Sequence, residues 1–267
     1  MPEPTDPPVL YDVTESVATI TLNRPHAMNS LDVATKVALR DAVIEAADDP
    51  GVRCVVLTGN GRAFCVGQDL KEHVQILRDE SSDALFRTVP EHYNPTVTAI
   101  ATMPKPVIAA VNGVAAGAGA SLAFACDLRV LGHGGGFNVA FSGIGLSCDT
   151  GSSWTLPRLV GRAKALELLY FPRTITSEES LELGLATKVV PADALAEEVR
   201  HLARGLAAGP TVAFGSIRRS VGYSAAHDLE ASLGFEAEMV ALTGATQDHR
   251  SAVDAFVAKR KPLFEGR

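Results

Sequence analysis

Two stretches of this 267-residue chain can place backbone N–H groups around a ligand. One is "VNGVAAGAGASLAFACD", Val111 to Asp127, and the other is "GNGRAFCVGQD", Gly59 to Asp69. Each follows an apolar run that reads as a buried strand, "KPVIAAVNG" and "VRCVVLTG", and each leads into a helical pattern. Glycine and alanine leave room for a backbone to approach a ligand closely. Two such donors can share one carbonyl oxygen that turns negative during a reaction, each contributing roughly 3 kcal/mol in the transition state. A helix beginning near Gly119 would add its positive end. For one loop alone, tight packing of a helix on a sheet is the simpler use of the same residues. Two loops at matching positions shift the balance towards a site.

Other chemistries fit less well. "NGVAAGAG" imitates a dinucleotide fingerprint, but it lies mid-chain, and none of Tyr11, Tyr93, Tyr170 and Tyr223 has the lysine four residues on that a short-chain dehydrogenase needs. His133-Gly134-Gly135-Gly136 imitates a lipase oxyanion loop, yet no Gly-x-Ser-x-Gly elbow exists, so it reads as a tight strand connection. No His-Glu-x-x-His is present, and Cys54, Cys65, Cys126 and Cys148 show neither CxxC nor zinc spacing, so no metal site is expected.

The elements that must carry the loops follow from periodicity. Val9 to Asn23 reads as a hairpin turning at Glu15-Ser16. Ser30 is placed to cap a helix with a stripe of Val33, Val37, Ala38, Val43 and Ile44. Asp69 and Glu72 form a capping-box pattern before "LKEHVQIL". Another helix is expected within 88–103. "DLRVLG" and "FNVAF" read as a strand pair, and helices are expected near 151–158, 162–170, 177–183, 193–208, 210–222 and 227–258. From about Val212 the chain is alanine-rich and amphipathic, which suits packing against another subunit. Residues 1–205 are read as the core and 206–267 as a helical region. With 46% apolar and 21% charged residues there is ample core material, and the net charge of −7 argues against nucleic-acid binding. No secretory leader and no run of membrane-spanning length is visible, so a cytoplasmic protein is expected.

"ITLNRPHAMNSLD", "GRAFCVGQDLKE", "KPVIAAVNGVAAGAGASLAFACDLRV" and "IGLSCDTGSSWTLPRLVG" occur in this order. The series resembles the successive motifs of the crotonase (enoyl-CoA hydratase/isomerase) family from about Val9 to Pro191. The resemblance implies an α/β fold, a crotonase-like spiral of ββα units with a C-terminal helical trimerisation region. It implies an acyl-CoA thioester substrate, with coenzyme A arriving as part of the substrate and no separate cofactor. It also implies a homotrimer, or a hexamer made of two trimers.

Carried over residue by residue, the resemblance assigns the two thioester-carbonyl donors to the main-chain N–H groups of Gln68 and Ala118. Substrate contacts are assigned to His26, Met28, Cys65, Gly67, Asp69, Leu70, Val114, Gly117 and Phe141. The basic cluster at Lys259–Lys261 is read either as a contact for CoA phosphates or as a solvated helix end. Arg24 belongs to the motif and equally serves the loop. Two departures matter: the hydratase glutamates are replaced by Ser121 and Phe141, and neither can act as the acid or base on a water molecule.

One carboxylate remains nearby. Asp149 in "SCDTGSSW" is the only acidic residue between Asp127 and Glu167. It resembles the family's isomerase aspartate, and a single carboxylate suits moving a double bond from C3 to C2 of an enoyl-CoA. Asp149 also reads as a helix N-cap. The alternatives are a hydratase-like enzyme with weak or altered activity and a CoA-thioester-binding protein without catalysis. Cys148 reads as a small buried residue, and Trp154 and Leu156 as packing residues. "HVQILRDESSDALFRTVPEHYN" reads as a lid or pocket wall.

Overall fold

The computed structural model describes residues 6–79 and 86–267. The chain opens with an antiparallel hairpin, β1 (Val9–Thr14) and β2 (Val17–Leu22). Its turn residues, Glu15 and Ser16, both take positive φ, as a two-residue turn that follows strand twist requires. After α1 (Val33–Asp48), the chain repeats one pattern. A strand enters a large sheet, the next short strand enters a small sheet, and a helix follows. The first repeat is β3 (Cys54–Gly59), β4 (Ala63–Cys65) and α2 (Leu70–Asp79). After α3 (Asn94–Thr102), the second is β5 (Val107–Val111), β6 (Val114–Ala116) and α4 (Ala118–Ala125). The third is β7 (Leu128–Gly132), β8 (Gly136–Asn138) and α5 (Ser152–Val160). This is the expected spiral of ββα units.

The large sheet is completed by β10 (Lys188–Val190), in the order β1-β2-β3-β5-β7-β10, parallel from β2 onward. The small sheet runs β4-β6-β8-β9, where β9 is Ile175–Thr176. Period-two alternation divides β3 and β5 between two cores. Val55, Leu57, Val107 and Ala109 enter the larger one, and Cys54, Val56, Ile108 and Ala110 the smaller one. The smaller core is closed by Leu195, Val199 and Ala203 of α8 (Leu195–Ala207). Between β8 and α8 lie α6 (Arg162–Tyr170) and α7 (Ser177–Glu182). The chain ends in α9 (Thr211–Ser224), α10 (Leu229–Gly244) and α11 (Gln247–Val257). Arg53 ties this end to the sheet by donating to Thr211 Oγ1 (2.8 Å), Gly209 O (2.6 Å) and Phe264 O (3.2 Å).

Several local expectations are corrected. α1 is capped by Asp32, whose carboxylate accepts from Thr35 N, and Ser30 instead donates to Asp69 at 3.0 Å. The buried face of α1 is Thr35, Lys36, Leu39, Ala42, Val43 and Ala46, while Val33 and Ile44 are exposed. The Asp69–Glu72 box is half formed. Asp69 caps Lys71 N and Glu72 N, but its own N–H is taken by Leu31 O, so Glu72 turns to Val33 N. "DLRVLG" and "FNVAF" do not pair: β7 and β8 lie in different sheets, and only Gly136–Asn138 is strand. The 227–258 helix is two, because Thr246 starts α11 by accepting from His249 N. Trp154 is 47% exposed, with Arg158 stacked on its ring, whereas Leu156 is buried.

Two loops meet where the sheets join. A Cβ on Gly119 would stand 2.1 Å from Cys65 O, and one on Gly67 would stand 2.8 Å from Ala116 O. Backbone contact of this closeness excludes every other residue. Gly119→Ala is expected to destabilise the protein by about 1–3 kcal/mol or more, read as a lower denaturant midpoint at unchanged m-value.

Candidate active site

Gln68 follows β4 and Ala118 opens α4, so both lie at the C-terminal ends of adjacent small-sheet strands. Leu31 N donates to Gly67 O at 2.8 Å and Asp69 N donates to Leu31 O at 3.1 Å. These bonds straddle Gln68 in a parallel bridge, so its own N–H points to the opposite side. Ala118 N is the first of the orphan donors of a helix start. Neither N–H has an acceptor among the described residues. Gly67 (φ +84°) and Gly117 (φ +50°) turn these peptides, and a Cβ on Gly67 would lie 3.3 Å from Ala118 N. Both donors line one cavity of about 160 Å³.

Around that cavity the structure also gathers Gly67, Leu70, Gly117, Phe141 and Asp149 from the expected set. His26, Met28, Cys65, Asp69 and Val114 lie outside its lining. His26 is exposed in the turn Pro25–Ala27, and Met28 takes a left-handed conformation at its end. Cys65 is buried, and burial pushes its thiol up to about 12, which removes it as a nucleophile at neutral pH. Asp69 is engaged by Arg24 at 3.1 Å and by Ser30. These bonds and its capping role outweigh burial and hold the carboxyl below its ordinary range, although burial is the largest single influence. Arg24 thereby serves the loop, donating also to Ser30 O at 2.6 Å.

Asp149 is the one carboxylate among the described lining residues. It does not cap α5, whose N-cap is Gly151 with no side-chain bond. Thr150 donates to Asp149 Oδ1 at 2.8 Å, and burial still raises its carboxyl above the usual range. Cys148 beside it is half-buried. Phe141 presents its ring to the cavity. Ser121 is fully enclosed and outside the lining. Its hydroxyl meets Gly117 O at 3.1 Å and Ser152 Oγ at 2.5 Å, joining the start of α4 to the start of α5.

The far wall comes partly from the expected segment. His73, Phe86, Thr88, Val89 and Tyr93 line the cavity, while residues 80–85 of that segment lie outside the described residues. A π-helical turn over Val89–Tyr93, closed by Asn94 N on Val89 O, brings Tyr93 inward. Tyr93 donates to Gln68 Oε1 at 2.5 Å. Its burial, and then the charge of Asp149, hold the phenol protonated. Lys36, buried beneath, donates to Thr88 Oγ1 at 2.9 Å and Gln68 Oε1 at 3.3 Å. Burial lowers its ammonium pKa, against the pull of Glu72. Tyr93 falls within the segment expected to form a lid or pocket wall without being singled out there, and Lys36 was not expected at the site. The available signal was a lysine at helical spacing with Leu39, Val43 and Ala46, which places it on the core face of α1. Among the described residues no helix is long and apolar enough to cross a membrane, and no cluster of side chains forms a metal site.

The enoyl-CoA hydratase/isomerase family model matches residues 12–267. The 1,2-epoxyphenylacetyl-CoA isomerase of Escherichia coli (strain K12) is 39% identical over 259 residues, 97% of this chain and 98% of the relative. The crotonyl-CoA hydratase of Syntrophomonas wolfei is 33% identical, over 96% and 97% of the two chains. The crystal structure of an enoyl-CoA hydratase from Bacillus anthracis superimposes with a TM-score of 0.91 at 30% identity, covering 97% of this chain and 100% of that one. This chain belongs to the enoyl-CoA hydratase/isomerase, or crotonase, family.

Proposed function

We propose that this chain isomerises a CoA thioester, with Asp149 moving one proton across an enolate held by Gln68 N–H and Ala118 N–H. The observation that carries the reading is the pairing of one half-buried carboxylate with two N–H groups that lack an acceptor among the described residues, all on one cavity. The Asp149 carboxylate takes a proton from C2 of a 3-enoyl thioester. The C2–H electrons form a C1–C2 double bond, and the carbonyl oxygen takes the charge and accepts from both N–H groups. The dienolate then collapses, the double bond settles between C2 and C3, and Asp149 returns the proton to C4. Burial suits Asp149 to both halves, because a raised pKa makes it a better base and a readily regenerated acid.

The cavity supports a compact acyl group. A dry apolar cavity of roughly 150 Å³ accepts a benzene ring, and this one, at about 160 Å³, is walled by Leu70, Phe86, Val89, Phe141 and Ile144. That size, together with the name of the Escherichia coli relative, favours a second reading in the same reaction class, an isomerase of a ring-bearing acyl-CoA such as 1,2-epoxyphenylacetyl-CoA. Assays with 3-hexenoyl-CoA and with the epoxide separate the two. Hydration of 2-enoyl-CoA as the main activity, or binding without turnover, counts against both. The exposed apolar residues Val221, Leu233 and Phe256 of α9–α11 support assembly into trimers or hexamers, and sedimentation is expected to give a mass of three or six chains.

Asp149→Asn is expected to lower kcat about 10²- to 10⁴-fold while thioester binding persists. Wild-type kcat should fall as pH drops through a pKa above the ordinary aspartate value, and this acid limb should vanish in the variant. The stability effect has the opposite sign. A carboxyl whose folded pKa is raised favours the folded state only when protonated, and that contribution is lost as pH rises through the folded pKa. The asparagine variant should therefore melt higher than wild type at neutral pH. Ser121→Ala, by contrast, should keep activity within about tenfold and cost about 1 kcal/mol of stability, the worth of a typical internal hydrogen bond. A loss of activity equal to that of Asp149→Asn in folded Ser121→Ala would show that the rate does not depend on Asp149 in the way proposed, and would overturn the assignment.

A further inference from the structure

Lys36 is a buried cation for which the reaction proposed above has no direct use. Its side chain is 2% exposed on the core face of α1. Its Nζ donates to Thr88 Oγ1 at 2.9 Å and Gln68 Oε1 at 3.3 Å, while the facing carboxylate oxygen, Glu72 Oε2, is 3.7 Å away. That oxygen is buried and has no hydrogen-bond partner among the described residues. A well-packed apolar residue commonly matches or exceeds a buried ion pair in stability, so the pair alone does not account for a lysine here.

What the lysine does specify is orientation. An ammonium only donates, so the Gln68 atom that faces it is the amide oxygen. The Tyr93 hydroxyl donates to the same oxygen at 2.5 Å. The amide is thus held by two donors, with its Nε2 buried and without an acceptor among the described residues. The same residue carries the N–H that lines the cavity. Thr88 and Tyr93 belong to the far wall, so one charged group links α1, the Gln68 loop and that wall.

We infer that Lys36 is a positioning residue for the carbonyl-binding site: by gripping the Gln68 amide and Thr88, it holds the Gln68 N–H in line with the thioester oxygen. The inference rests on the reading of Gln68 and Ala118 as the carbonyl donors. Cinnamoyl-CoA tests it, because its absorption moves to longer wavelength when hydrogen bonds polarise the thioester carbonyl. Wild-type protein is expected to produce that shift on binding. Lys36→Met is expected to remain folded, to bind cinnamoyl-CoA within about threefold of wild type, and to lose at least half of the shift. Its kcat should fall about 10- to 100-fold with KM little changed, the signature of a lost transition-state contact. A wild-type shift and kcat in folded Lys36→Met overturn the role of Lys36. No shift in wild-type protein overturns the carbonyl-donor reading itself, and the role of Lys36 with it. If Lys36→Met does not fold, Thr88→Val removes one of the lysine's two close acceptors. A smaller shift there supports the role, and an unchanged one overturns it.

Discussion

The rest of the site depends on a contact between two stretches of main chain. For two peptide N–H groups to reach one oxygen, the loops that carry them must touch without side chains between them. The structure meets this demand three times along the seam between β4 and β6. Cβ atoms on Gly113, Gly119 and Gly67 would stand 2.1, 2.1 and 2.8 Å from the carbonyl oxygens of Arg62, Cys65 and Ala116. Such approaches leave no alternative residue, and they place the opening of α4 beside the Gln68 peptide. The large sheet, the small sheet and the helices between them bring this seam together from segments some 50 residues apart.

The seam is braced from outside by polar side chains. Asn29 is fully buried, donating to Asn60 O and Ala63 O while accepting from Arg24 N. Arg24 in turn grips Asp69 and Asp32, the caps of α2 and α1. The loop after β2 thereby orients the loop after β4. On the other side, Ser121 and Ser152 join the helix that presents Ala118 to the helix that follows Asp149. The Ser121–Ser152 contact thereby couples the start of α4 to the start of α5.

The legibility of this arrangement in the sequence varied with the range of the forces involved. Buried strands bounded by glycine were readable because β3 and β5 are apolar on both faces and end abruptly at their loops. The pairing of β7 with β8 was misread because local alternation does not say which sheet a strand enters, and Gly136 is required by a close approach to Ile175 O that no local pattern records. The face of α1 differs from the apolar stripe because Thr35 and Lys36 are buried by what packs on them, and its cap is Asp32 because Ser30 is engaged by Asp69. Gln68, Ala118 and Asp149 lie in motifs and could be named. Tyr93 reaches the cavity through a π-helical turn, and Lys36 through a buried helix face, so their place in the site becomes visible only in three dimensions.

Phe141 bears on what becomes of a product formed in this cavity. A 2-enoyl thioester is itself open to attack by water at C3, and a site that makes one beside a carboxylate risks consuming it. The phenyl ring offers neither a lone pair nor an exchangeable proton, and Ser121 is sealed behind the cavity wall. Among the described lining residues Asp149 is the one carboxylate, and His73, Thr88 and Tyr93 are the side chains that could share a second proton transfer with it. Under the isomerase reading proposed above, the branch between an isomerised and a hydrated product turns on whether water can reach C3 with two proton carriers at once.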